Sequence, residues 1–255
     1  MCLIFFSINN HPTYKLVVAA NRDEFYHRKT APASFWSDKP HILAGRDLEA
    51  QGTWLGITTG GKISLLTNYR DPKHINPSAP SRGQLVSDFL ENGLSAEEYM
   101  RAIAPISTRY NGFNLLAGTP DALWYLSNYA SGAQKLTSGL YGLSNHLLET
   151  PWPKVQRGKE KMKAALAHDR IEPQTLFDLL YDEQRASDEQ LPDTGIGLER
   201  ERALSSMFIK THNYGSRCST VILIDRNNRV LFTERVYNLE TFAFQDQTFE
   251  FVIDQ

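Results

Sequence analysis

The chain has 255 residues, 41 % of them hydrophobic, enough for a sizeable core, and its formal net charge of −2 lacks the basic surplus that nucleic-acid or anionic-membrane binding leaves in a sequence. Two cysteines, Cys2 and Cys218, are too few for a secreted disulfide scaffold and fit a reducing compartment, so a cytoplasmic protein is expected. No stretch approaches the ~20 apolar residues of a membrane span, and the amino-terminal apolar run is too short for a signal-peptide core, so a soluble chain without a membrane span is expected.

Residues 2–8 are an apolar run that predicts a strand, and residues 14–21 predict a second one across the polar turn Asn9-Asn10-His11-Pro12. A second hairpin is predicted from 53–58 and 62–68 around Gly60-Gly61, a dipeptide that tolerates the positive φ of a tight turn. Helices follow at 83–91, with Leu85, Val86, Phe89 and Leu90 on one face, and at 99–103 behind the capping-box string Ser95-Ala96-Glu97-Glu98. Strands resume at 113–117, 122–128 and 140–145. Helices are then predicted at 153–167 and 173–181, the first opening on Pro153. Residues 182–203 read as a long variable surface loop. Four final strands are predicted at 205–211, 219–225, 229–236 and 248–253.

No repeat or linker divides the chain, so residues 1–255 are expected to form one domain. Strand runs separated by helix pairs imply antiparallel sheets with helices in separate layers, an α+β architecture of two facing sheets between two helical layers.

Cys2 stands directly behind Met1. If Met1 is removed, one residue carries both a thiol (reference pKa about 8.5) and an α-amine (about 7.7 to 8.0), so the amine can serve as the thiol's base. Folding the first hairpin across its turn places Cys2 near Ala20 or Asn21, within about one residue of register. The polar string Asn21-Arg22-Asp23-Glu24 therefore lies beside the thiol. Asn21 and Asp23 share one face, which serves Cys2, and Arg22 with Glu24 is expected on the other.

Cys2 followed at this distance by Asn21-Arg22-Asp23-Glu24 resembles the NRDE family, which includes the transport and Golgi organisation proteins and is related to N-terminal-nucleophile hydrolases. The resemblance extends over Gly45-Arg46-Asp47, Gly52-Thr53-Trp54-Leu55-Gly56, Leu66-Thr67-Asn68-Tyr69-Arg70, Gly142-Leu143-Ser144-Asn145 and Gly215-Ser216-Arg217. It implies the four-layer αββα sandwich. It also implies a cysteine hydrolase site of the penicillin V acylase and bile salt hydrolase type. On that pattern Cys2 is the nucleophile, Asp23 holds its amine, Asn68 helps build the oxyanion hole and Asn145 is a second polar contact.

Asn21, Arg22, Tyr69, His146 and Arg217 complete the expected site as substrate-contacting residues. Ala20 stands where that pattern has an arginine, the cation that would favour the thiolate. Arg22 is one strand step out of phase with it, and Arg217 is a second candidate source of charge.

The seven histidines have no partner at metal-ligand spacing, so no metal and no cofactor is expected. Thr194-Gly195-Ile196-Gly197 lacks the third glycine and the strand context of a dinucleotide site. The basic helix at 154–163 reads as a solvated face. Two functions compete: an amidase, acylase or thioesterase acting on a small-molecule substrate, and a carrier of an apolar ligand such as haem or an acyl-CoA on the same fold.

Overall fold

The computed structural model describes residues 2–254. In chain order the strands are β1 (Cys2–Ile8), β2 (Tyr14–Phe25), β3 (Thr30–Trp36), β4 (Lys39–Asp47), β5 (Leu55–Thr58), β6 (Ile63–Asn68), β7 (Phe113–Thr119), β8 (Ala122–Ser127), β9 (Gln134–Lys135), β10 (Gly139–Leu143), β11 (Tyr214–Asp225), β12 (Arg229–Tyr237) and β13 (Phe244–Val252). The helices are α1 (Gly83–Glu91), α2 (Ala96–Ile103), α3 (Pro153–Ala165), α4 (Pro173–Leu180) and α5 (Leu198–Ala203).

Every residue of β1 is buried, and the two faces go to different cores. Ile4, Phe6 and Ile8 meet the opposite sheet, while Leu3 and Phe5 meet the helices. A strand covered on both sides reads as a continuous apolar run instead of an alternating one. The six-stranded sheet has the order β10-β1-β2-β11-β12-β13, the seven-stranded sheet the order β3-β4-β5-β6-β7-β8-β9, and all pairings are antiparallel.

Three cores follow: one between the sheets, one under α3 and α4, and one under α1 and α2. Three cores make four layers, the αββα sandwich. Ser95 caps α2 with the reciprocal Glu98 bond of a capping box. No described helix is long and apolar enough to cross a membrane.

The structure departs from the sequence expectation in four places. β3 and β4 were not predicted, because β3 buries only Ala33 and Trp36 and register shifts interrupt its pairing, so no two-residue alternation is written there. The two-residue β9 is too short to leave a pattern. The predicted strand at 205–211 is not one: its apolar residues are buried, but Phe208 N–H bonds Asp182 O in the helical layer and a single bridge joins Lys210 to Gly215. The stretch read as a variable loop contains α5, whose Glu201 is buried.

Gly158 is the contact on which α3 approaches β1. A Cβ there would lie 1.9 Å from Phe5 Cζ, well inside contact distance. G158A is therefore expected to destabilise the chain by about 2 kcal/mol or more, since overpacking typically costs about 1–3 kcal/mol. Urea melts of the two chains check this, and equal midpoints would contradict so close a helix–strand approach.

Candidate active site

The β1–β2 register pairs Cys2 with Arg22, Leu3 with Asn21 and Ile4 with Ala20. Directly opposed residues project to the same side of a sheet, so Arg22, not Asn21 and Asp23, shares the Cys2 face. This corrects the expectation that Arg22 points away: the hairpin closes one residue beyond the predicted partner, and a one-residue slip exchanges every side chain between faces. Arg22 also pairs with Cys218 on β11, so the guanidinium lies on the strand between the two cysteines. Both cysteines are free and buried.

Cys2 is 9 % exposed and Arg22 is 5 % exposed. Together with Ile4, Ala20, Trp54 and Leu66 they line a cavity of about 10 Å³, room for about one water. The Arg22 guanidinium stacks over Trp54 at 4.2 Å. Burial pushes the Cys2 thiol up, Asp23 adds to that, and Arg22 and a hydrogen bond from the Asp23 backbone N–H oppose it.

Asn21 and Asp23 project toward the helices. Asn21 Nδ2 donates to Leu180 O at 3.0 Å and Met207 O at 2.9 Å, and its Oδ1 accepts from Ser219 Oγ at 2.6 Å. Both of its N–H groups are thereby taken, and the residue ties β2 to the helical layer. Asp23 is 1 % exposed and accepts from Ser216 Oγ at 2.6 Å. Burial raises its carboxyl, against the pull of Lys154 and Arg22.

A second wall is built by the chain leaving β6 and β10. Ile4 pairs with Leu143, so Asn145 leaves the sheet level with Cys2. Its Nδ2 donates to Asn68 O at 3.1 Å, and its carbonyl accepts from Arg70 N at 2.7 Å. Asn145 thus fixes the peptide that carries Asn68. The Asn68 carboxamide makes no hydrogen bond among the described residues and is half-buried.

Beyond it, Thr150 Oγ1 gives its proton to Leu147 O and so accepts from His146 Nδ1, which leaves Nε2 to accept from Tyr69 O–H at 2.8 Å. Burial holds the His146 pKa down, in keeping with a neutral ring. Tyr69 stacks on Tyr129 at 3.8 Å. Arg217 donates to the carbonyls of Phe25, Tyr26 and Arg28, closing the turn after β2.

The sequence did not point to a buried charge cluster behind this wall. Arg70 Nη1 donates to Glu201 Oε2 at 2.7 Å, both residues being almost fully buried. Lys154, placed by the sequence on a solvated helix face, is 2 % exposed and donates to Leu204 O at 2.9 Å. One signal was available: a lysine in the first turn of a helix opposes the macrodipole, which is a poor place for a solvated cation.

Burial, then Arg70, lowers the Lys154 pKa to about 8. An ammonium whose folded pKa falls below its ordinary value makes folding more favourable as pH rises through that interval. The stability of the wild type relative to K154M is therefore expected to increase by about 3 kcal/mol between pH 8 and 10.5, at about 1.4 kcal/mol per unit. Urea melts of both chains across that range read it, and parallel curves would contradict a buried lysine. Among the described residues no three His, Cys, Asp or Glu side chains gather as metal ligands.

The family model for Transport and Golgi organisation 2 matches residues 1–239. The chain belongs to that family. The mouse Transport and Golgi organization 2 homolog is 38 % identical over 99 % of both chains, and the human homolog is 37 % identical over the same shares. The Drosophila melanogaster protein is 32 % identical over 92 % of this chain and 91 % of its own.

Among solved structures, the Caenorhabditis elegans ortholog of N-acylethanolamine-hydrolyzing acid amidase superposes with a TM-score of 0.51 at 11 % identity, over 87 % of this chain and 92 % of that one. The C2A mutant of conjugated bile acid hydrolase from Clostridium perfringens also scores 0.51, at 9 % identity, over 98 % and 97 %. This Transport and Golgi organisation 2 family member thus has the fold of N-terminal-nucleophile hydrolases.

Proposed function

We propose that the whole chain acts as one hydrolase domain that cleaves an amide or thioester of a small molecule, with Cys2 as nucleophile once Met1 is removed. Met1 lies outside the described residues. The observation that carries the reading is the strand register, which sets the thiol against Arg22 and level with Asn145 at the sheet end where Asn68 keeps its carboxamide unspent.

The free Cys2 amine takes the thiol proton, and the thiolate adds to the substrate carbonyl. Asn68 N–H donates to the oxyanion, a contribution on the order of 3 kcal/mol to the barrier. As the C–N or C–S bond breaks, the ammonium returns its proton to the leaving group. Water, deprotonated by the same amine, then adds to the thioester and releases the acid, restoring the thiol. Asp23 keeps the amine in place, and Asn145 positions Asn68.

Carriage of haem or an acyl-CoA is the weaker reading. The cavity at Cys2, about 10 Å³, would have to open for either reading, but only hydrolysis uses the thiol, Arg22 and Asn68 together. A groove of about 490 Å³ does exist, lined by Met100, Pro105 and Trp124, but it lies on the outer face of the second sheet. The test is a panel of N-acyl amides and acyl thioesters given to the chain beginning at Cys2 and to the same chain with one extra residue ahead of Cys2. Only the first is expected to turn over, and equal rates would contradict the proposal.

A further inference from the structure

We propose that Arg22 is the residue that stabilises the Cys2 thiolate in this chain, supplying from position 22 the cation that the related cysteine hydrolase pattern places at position 20. The inference deepens the hydrolase reading and rests on it for its purpose. Positions 20 and 22 lie two residues apart on one strand and so share a face, and the β1–β2 register makes that the Cys2 face. A cation moved by two residues stays on the nucleophile's side and slides toward the strand end, directly opposite Cys2.

Four observations single out Arg22. It is 5 % exposed, and among the described residues its guanidinium makes no hydrogen bond. Its two ion pairs, to Glu24 and Asp47, are both long, at 3.9 Å, and each carboxylate has a closer partner: Arg28 at 2.6 Å for Asp47, and the Phe25 N–H at 2.9 Å for Glu24. A guanidinium that makes no direct hydrogen bond and only two long ion pairs keeps donors for an anion formed on the Cys2 face of the strand pair. The Trp54 ring, its centroid 4.2 Å from Arg22 Cζ, holds the guanidinium in place, and the same small cavity touches Arg22, Trp54 and Cys2.

Besides Arg22, one cation faces the thiolate, the α-ammonium formed when the amine takes the thiol proton, and wild type and the Arg22 variants share it. The remaining charged and titratable groups that face Cys2 are committed elsewhere or carry no positive charge. On the same sheet these are Asp23, Tyr214 and Cys218, and from the helical layers Lys154 and Arg82. Asp23 works against the thiolate. Cys218 is a buried thiol that burial and the Glu234 carboxylate push up, so it carries no positive charge. Lys154 donates to Leu204 O and Arg82 to Gly112 O. Arg217, the second source of charge expected from the sequence, is spent on three carbonyls of the turn after β2.

The experiment is the pH dependence of alkylation by iodoacetamide, followed by peptide mass so that Cys2 is counted separately from Cys218, in wild type, R22M and R22K. R22M suits the site because it leaves no hydrogen-bond partner of Arg22 stranded, and apolar replacement of a buried charge is often tolerated. R22Q takes its place should R22M not fold, with thermal melting as the check.

The expected result is a midpoint about one unit higher in R22M, seen as a Cys2 rate about tenfold lower at pH 7, with R22K close to wild type. An unmoved midpoint in the folded charge-free variant would overturn the proposal. An equal rise in R22K would also overturn it, by showing that packing and not charge is responsible. Alkylation needs no substrate, so the two readings fail separately: turnover absent with a moved midpoint removes the hydrolase, and turnover present with an unmoved midpoint removes only the role of Arg22.

Discussion

C2A is expected to lose turnover by at least about 10⁴-fold while remaining folded, because removing a covalent nucleophile leaves only the oxyanion donors and binding contacts to act on the substrate. The side chain contributes one sulfur to a site that is 9 % exposed, and its neighbours Ile4, Ala20 and Leu66 close around a methyl group as readily as around a thiol. The stability cost is therefore expected to stay below about 2 kcal/mol, the lower end for truncations in a core. Turnover of the responsive amide or thioester and a urea melt of the same preparation check both halves. Undiminished turnover in folded C2A would exclude Cys2 as nucleophile.

E201L is expected to be the most destabilising surface-distant change on the helical side, by about 3–5 kcal/mol, because it leaves the Arg70 guanidinium buried without its counter-charge. For a chain of this size that corresponds to a fall in melting temperature on the order of 10 °C. Thr194, whose N–H and hydroxyl both bond Glu201, loses its acceptor as well. The double variant R70M/E201L removes both charges together and is expected to recover most of the loss. Thermal melts of the three chains decide: if E201L alone is neutral, the ion pair does not anchor α5 to the wall that carries Asn68.

The layering was legible because each buried element writes its own period. β1 is apolar throughout since both its faces are covered, and α1 repeats Leu85, Val86, Phe89 and Leu90 at helical spacing. β3 was not legible because bulges break its alternation and Pro32 interrupts its donors.

At the site, the residue types could be read and the faces could not. The hairpin turn allows a one-residue error in register, and that error decides whether Asp23 or Arg22 looks at the thiol. The Arg70–Glu201 pair was invisible for a different reason: its members are 131 residues apart and joined only by the path of the chain, and Glu201 sits in a charged stretch that resembles solvated loop.

The most direct measurement is the intact mass of the chain after acid quench during turnover of an N-acyl amide, with the adduct mapped by peptide mass. The expected result is a chain that begins at Cys2 and carries the mass of one acyl group on that residue. Continued turnover by a chain that retains Met1, with no acyl group on Cys2, would contradict it.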